Sequence, residues 1–311
     1  MHNTEATTPT QYTAWIWQTI LLTVLASAAF AFFNYRQDVF GLHGRKPVTI
    51  YALERYSKYL LSYRYIPTLY DGILVSNSIA ANWDTGQFRK YRVFNVSLRG
   101  ASIAEEQKIV NNILARGQLK MAVIVLMPSL IAQRESPTEY MTSRDYTASF
   151  GSLQTLIVNA QAALERYGPS VHLPASLDQH KFAKDGAMNF PIRFSNFPSA
   201  PPMGRNELAG DVIALEELKE VIDNFHAHRV KLYGVYAPLY TPRRILQAQD
   251  FRAWQQRIAA LFSPQDTLID LNDDQLASLE GNRQTFPDYF HLTPQAATQV
   301  MANLVSRIEG K

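Results

Sequence analysis

The chain has 311 residues, 47% hydrophobic and 18% charged, and a formal net charge of +3. That length can bury one full-sized core. The composition is ordinary for a globular protein, and no basic stripe suited to nucleic acid is present. The chain has no cysteine, which excludes disulfides, thiolate-bound zinc and a cysteine nucleophile.

Residues 1–13 read as a short polar tail and residues 14–35 as a transmembrane anchor. Ala14 to Phe33 carries no charge. At about 1.5 Å per residue such a helix crosses the roughly 30 Å hydrocarbon layer. Trp15, Trp17 and Tyr35 stand at its ends as interfacial anchors. Ala26-Ser27-Ala28 has the form of a signal cleavage site, but no positive region precedes it. The nearest cations, Arg36, Arg45 and Lys46, follow the segment. Taken alone, they place the following domain in the cytoplasm.

Residues 36–69 read as a linker and lead-in. Tyr51, Leu53, Tyr56, Leu60 and Leu61 suggest one amphipathic helix within Val48 to Tyr65. The tyrosines between 51 and 70 are expected to pack on the sheet or the membrane face.

Ile73 to Val75 is an apolar run that reads as a buried parallel strand. Ser76-Asn77-Ser78 breaks it, and Ile79-Ala80-Ala81 reads as the first turn of a helix. A serine at such a junction sits at the carboxyl edge of the sheet, where helix N–H groups favour a developing negative charge. The same three residues also suit a plain helix cap.

Tyr91 onward reads as a second strand, with Gly100 in the loop before a helix over Ile103 to Arg116. Gly100 permits a close backbone approach or a positive φ. Arg99 beside it either binds an anionic substrate group or faces solvent. Met121 to Met127 is the clearest buried strand, followed by Pro128-Ser129. Gln154 to Tyr167 is helical in pattern. Residues 168–207 form a Pro-rich insertion, read as covering the active-site edge or docking a partner. His172 and His180 within it lack metal-ligand spacing.

Leu208 to Arg229 reads as one long helix, and its His226 and His228 do not share a face. Val230 to Tyr236 is the next strand. Tyr240, Arg243 and Arg244 follow at the same sheet edge as Ser78, where ligands of open α/β sheets bind. Gln247 to Phe262 is helical, and Thr267 to Leu271 is the last strand, with Asp270 at its end. Asp288 and His291 precede a closing helix over Pro294 to Ile308. The alternation of strand and helix predicts an α/β fold with a parallel sheet of about five strands and helices on both faces.

A serine after the first strand, with Asp-x-x-His before the last helix, resembles the SGNH (GDSL-like) hydrolase superfamily. Ser76-Asn77-Ser78 stands where that family carries Gly-Asp-Ser. The resemblance is nearest to its membrane-anchored envelope branch, which includes DltD-type D-alanyl-transfer proteins and alginate O-acetylation proteins. It implies a three-layer, flavodoxin-like catalytic domain over residues 70–311. It also implies Ser78 as nucleophile, His291 as base and Asp288 as the orienting carboxylate, with Asp270 a weaker rival. The N–H groups of Ile79 and Gly100 would hold the oxyanion, and Asn77, Arg99, Tyr240 and Arg243 would contact substrate.

The chain departs from the pattern after the third strand. The family's oxyanion asparagine is missing there, since no Asn lies between Asn112 and Asn159. Ser129 and Gln133 are candidate substitutes.

The activity so implied is O-acyl transfer, or the reverse esterase reaction, on a cell-envelope or secreted polysaccharide. The implied partners are a membrane-bound O-acyltransferase or polysaccharide synthase subunits. The domain would lie outside a bacterial inner membrane, opposite to the side the cations indicate. No cofactor and no metal are expected. A catalytically weak scaffold or polymer-binding subunit is the alternative. A secreted-type lipase lacks any obvious lipid-binding feature.

Overall fold

The computed structural model describes residues 9–43, 54–132, 141–167, 183–188 and 192–310. Helix α1 (Pro9–Gln37) holds the apolar segment, and Tyr12–Gln37 is long and apolar enough to cross a membrane. Its last turn is tied to the domain: Asn159 donates from Nδ2 to Asn34 Oδ1 at 2.9 Å, and its Oδ1 accepts the Val39 N–H at 3.2 Å.

The single lead-in helix expected before the first strand is instead two, α2 (Glu54–Leu61) and α3 (Tyr65–Leu69); residues 48–53 of the expected helix lie outside the described residues. Ser62 Oγ bonds the Tyr59 carbonyl at 2.5 Å and competes with the helical ladder there. Tyr65 and Tyr70 pack edgewise on Phe94 of the sheet, as expected for these tyrosines.

Strand β1 (Gly72–Val75) is followed by β2 (Val93–Asn95), α4 (Ile103–Leu114) and β3 (Met121–Leu126). Then come α5 (Ser143–Ser149), α6 (Leu153–Tyr167), α7 (Arg205–Ala209) and α8 (Val212–Ala227). Strand β4 (Lys231–Tyr236), α9 (Thr241–Leu246), α10 (Ala248–Ala259), β5 (Thr267–Asp270), α11 (Ala277–Glu280) and α12 (Pro294–Glu309) complete the chain.

The expected helix over 208–229 is broken. Gly210 takes a left-handed φ of +73°, and Asp211 restarts the helix by accepting the N–H groups of Ile213 and Ala214.

The five strands pair in parallel in the order β2-β1-β3-β4-β5. This is the flavodoxin-like doubly wound order. Every residue of β1, β2 and β3 is buried, so both faces of the sheet are covered. β5 is one of the two edge strands, and Thr267 and Leu268 on it are exposed. All five strands end on one side. The residues singled out from sequence at positions 76–78, 99–100, 129 and 240–243 follow the carboxyl ends of β1, β2, β3 and β4.

Most of the Pro-rich insertion from 168 to 191, with His172 and His180, lies outside the described residues. Its piece 183–188 is pinned on the rim of the sheet. The Asp185 carbonyl accepts Asn95 N–H at 2.6 Å, and Met188 N–H reaches the Ala81 carbonyl at 2.7 Å. Gly186 between them has φ +86°, and a Cβ there would lie 2.3 Å from the Asn95 carbonyl oxygen. Gly186→Ala is therefore expected to lower stability by about 3 kcal/mol, combining left-handed strain with overpacking. Urea unfolding of the two proteins measures it, and an unchanged midpoint would contradict this account.

Candidate active site

Ser76 is wholly buried, and its Oγ donates to the Val125 carbonyl of β3 at 3.0 Å. This fixes the exit from β1. Asn77 Nδ2 donates to Ser129 Oγ at 2.9 Å, and Asn77 Oδ1 accepts the Ile79 N–H at 3.2 Å. The helix expected to begin at Ile79 does not form. Residues 77–83 make consecutive turns, Ala80 N–H to the Asn77 carbonyl and Ala81 N–H to the Ser78 carbonyl. The physical reason lies in the carbonyls. Buried Asn95 Nδ2 takes those of Ala80 and Trp83 at 2.7 and 2.9 Å, and Met188 takes that of Ala81. Oxygens that would receive the next helical turn are already satisfied by tertiary donors. Helix-dipole stabilisation at Ser78 therefore does not apply.

The far end of the chain meets this turn. His291 Nε2 lies 2.9 Å from Ser78 Oγ, and His291 Nδ1 lies 2.6 Å from Asp288 Oδ2. Asp288 Oδ1 accepts the N–H groups of Phe290 and His291 at 2.9 and 2.8 Å. With Nδ1–H given to the carboxylate, Nε2 presents its lone pair to the serine hydroxyl. Burial works to raise the Asp288 carboxyl. The His291 hydrogen bond and charge, with the two backbone donors, outweigh it and hold the carboxyl below its usual range. Thr293 then caps α12 by accepting the Ala296 N–H, with Pro294 at the first helical position.

Asp270 does not compete for this place. Its Oδ1 accepts from Asn272 and its Oδ2 from Gln255. Asn82, which sequence reasoning passed over, joins the two halves: its Nδ2 donates to the Leu292 carbonyl at 2.8 Å. Nothing in the local sequence distinguishes Asn82 from a turn asparagine.

The two expected oxyanion donors fare differently. The Ile79 N–H is engaged by Asn77 Oδ1 within the turn, so it is not a free donor at rest. Gly100 has φ +61°, and among the described residues a Cβ there would touch only Arg55 Nη2 at 3.9 Å. Backbone conformation, not close approach, is what calls for glycine at this position.

The loop that carries Gly100 is gripped by buried charges. Lys58 Nζ donates to the Ser97 carbonyl at 2.7 Å, and Glu106 Oε1 accepts the Leu98 N–H at 2.9 Å. Glu54 accepts both the Arg99 N–H and its Nε, and Arg55 Nη2 donates to the Arg99 carbonyl. Burial pushes the Lys58 ammonium down to about 8, although Glu54 and Glu106 pull the other way. Burial likewise raises the Glu106 carboxyl well above its usual value, against the pull of Lys58.

Two substrate-contact expectations need correction, those for Asn77 and Arg243. Asn77 is buried with both ends of its amide engaged, so it holds the turn and does not meet substrate. Arg99 keeps a partly exposed side chain, and its Nε is held by Glu54 at 2.8 Å. Arg243 is only 2% exposed, and its Nε donates to the Pro201 carbonyl at 3.1 Å. Its guanidinium sits 4.0 Å over the Phe290 ring and faces Glu207 at 3.7 Å. Burial lowers its pKa while Glu207 and Asp288 act to raise it. It is a buried cation behind the Asp288–His291 turn. Tyr240 is half-buried and stays at the rim, its ring 5.5 Å from that of Tyr289.

After β3 the missing asparagine is replaced by a turn over Pro128–Leu130, in which Ser129 meets Asn77; Gln133 lies outside the described residues. Among the described residues, no group of three or more His, Asp or Glu could hold a metal ion. His226 is paired with Asp266 at 2.9 Å.

No family model and no curated protein matches the chain. Solved structures with similar overall course include TesA, 14% identical over 77% of this chain and 98% of that one, with a TM-score of 0.41. Another is a GDSL-like lipase from Bacteroides thetaiotaomicron, 9% identical over 82% and 97% of the two chains, with a TM-score of 0.42. Likenesses this distant leave the chemistry to be read from the site itself.

The depressed Asp288 carboxyl carries a pH signature. Its contribution to stability is complete above the unfolded value of 3.8 and is lost as pH falls through the lower folded value. The stability difference between the native chain and Asp288→Asn should therefore shrink between pH 6 and pH 3. Urea midpoints at the two pH values check this, and a difference that grows on acidification would contradict it.

Proposed function

We propose that the protein carries out serine-dependent acyl-ester chemistry at Ser78, with His291 as base and Asp288 as its orienting carboxylate. The observation that carries this reading is the continuous hydrogen-bonded line from Ser78 Oγ through His291 to Asp288. A free serine hydroxyl is a weak nucleophile, and this line is the arrangement that activates one. His291 Nε2 takes the hydroxyl proton as Oγ bonds to the acyl carbon. The imidazolium then returns the proton to the departing alkoxide, leaving an acyl-serine. An acceptor hydroxyl or water completes the cycle by the reverse steps. Gly100 N–H is the assigned oxyanion donor, and Ile79 N–H joins it only if the charge that develops draws it from Asn77. Tyr240, half-buried at the rim, lines the approach.

The acceptor we infer is a hydroxyl of a cell-envelope or secreted polysaccharide. The acyl group would come from a membrane-bound O-acyltransferase or a polysaccharide synthase complex. Residues 14–35 would be the anchor in a bacterial inner membrane and residues 70–311 the catalytic domain on its outer side, with residues 1–13 a tail and 36–69 the connection. The apolar exposed helix over Tyr12–Gln37 supports anchoring.

A second reading, a catalytically weak scaffold in the same complex, is favoured by two observations: the Ile79 N–H is already engaged, and no asparagine stands in the turn directly after β3. One lost oxyanion donor costs about 10²–10³ in rate.

A fluorophosphonate probe should label the purified full chain at Ser78. Ser78→Ala and His291→Ala should each lower p-nitrophenyl acetate turnover by about 10⁴-fold or to background. Unlabelled Ser78, with polysaccharide acylation in cells unchanged by Ser78→Ala, would instead establish the scaffold.

A further inference from the structure

Tyr289, between Asp288 and His291, has φ +71°. A bulky non-glycine residue in the left-handed region is rare, and it persists only where the surroundings enforce it. The conformation has a visible consequence. It doubles the chain back, so that the Phe290 and His291 N–H groups converge on one Asp288 oxygen and the other faces the imidazole.

What enforces it comes from the end of the Pro-rich insertion, residues 192–204. Tyr289 Oη donates to the Phe197 carbonyl at 2.8 Å. Ser195 N–H donates to the Pro287 carbonyl at 2.8 Å. Arg283 lies 3.8 Å over the Tyr289 ring and donates to the carbonyls of Phe286 and Ser195. On the other side, Arg243 joins the Pro201 carbonyl to the face of Phe290. Pro287, Tyr289 and Phe290, which flank both the acid and the base, are thus each held by residues 195–201 or by an arginine bonded to them.

We propose that residues 195–201 form a strap that locks Tyr289 in its left-handed conformation. Tyr289, Arg283 and Arg243 are its positioning residues, acting through the Asp288–His291 geometry without touching substrate. The proposal rests on the assignment of Asp288 and His291 to catalysis. Through this strap the Pro-rich insertion completes the site from behind.

Substitution at 289 separates this role from ordinary packing. Glycine and alanine both delete the ring, the hydroxyl bond and the arginine stack, but only glycine adopts positive φ without strain. Tyr289→Gly should therefore turn over p-nitrophenyl acetate and label at Ser78 about tenfold faster than Tyr289→Ala, while both fall below the native chain. A role in packing alone predicts the reverse, because alanine fills more space. Tyr289→Phe keeps the ring and the fold and loses only the bond to Phe197. Its kcat should fall about three- to tenfold with KM unchanged.

Equal rates for glycine and alanine, or a faster alanine variant, would overturn the strap. So would a Phe variant with native kcat, which decides the matter if the smaller residues prevent folding. Failure of the native chain to label at Ser78 would overturn the underlying catalytic reading, and the strap with it. Labelling indifferent to residue 289 would overturn the strap alone.

Discussion

Everything in the site depends on one contact made across the length of the domain, between the Ser78 hydroxyl and the His291 imidazole. The parallel sheet makes it possible. Parallel pairing puts the ends of all five strands on one side, so the loop after the first strand and the segment after the last can meet there. Asn82 fastens the meeting with a hydrogen bond from the serine turn to the Leu292 carbonyl. Asn95, buried under the same turn, takes the carbonyls that a helix would have used. Both are neutral amides. They partner the carbonyls of Leu292 and Trp83, and leaving such a buried group unpaired costs about 1–3 kcal/mol; the Ala80 carbonyl also accepts the Trp83 N–H.

The two sides of the site are held by different means. On the Gly100 side, Lys58, Glu54, Arg55 and Glu106 bond the backbone of Ser97, Leu98 and Arg99. Burying charges is expensive even when they are paired, and stability alone would be served as well by apolar side chains. What charged groups supply is direction: each fixes a particular N–H or carbonyl in a loop that has no sheet or helix to do so. On the His291 side, a strained tyrosine and two arginines play the corresponding part.

The fold was legible in the sequence because parallel strands buried on both faces leave continuous apolar runs. Met121–Leu126 shows this best, with every residue buried. Ser78, Asp288 and His291 were singled out through the resemblance of their order in the chain to the SGNH pattern, since the local sequence at 76–78 suits a plain helix cap equally. The structure brings the three side chains together. The helix at Ile79 was misread because the competing donors, Asn95 and Met188, are distant in sequence and give no local signal. The partners of Arg99 and Arg243 gave no local signal for a related reason. An arginine near a sheet edge looks the same whether it faces solvent or a buried partner, and the partners Glu54 and Pro201 lie some forty residues away. Tyr289 gave no warning, since nothing in its identity suggests a positive φ.

The most direct measurement of the central claim is a double-substitution cycle on acyl-ester turnover, with Ser78→Ala, His291→Ala and both together. Groups that act as one unit give grossly non-additive losses. If the hydroxyl and the imidazole work together, removing His291 from the Ser78→Ala protein will cost nothing further. If the two losses multiply as independent factors, the two residues do not act as one unit, and the catalytic role of their contact is contradicted.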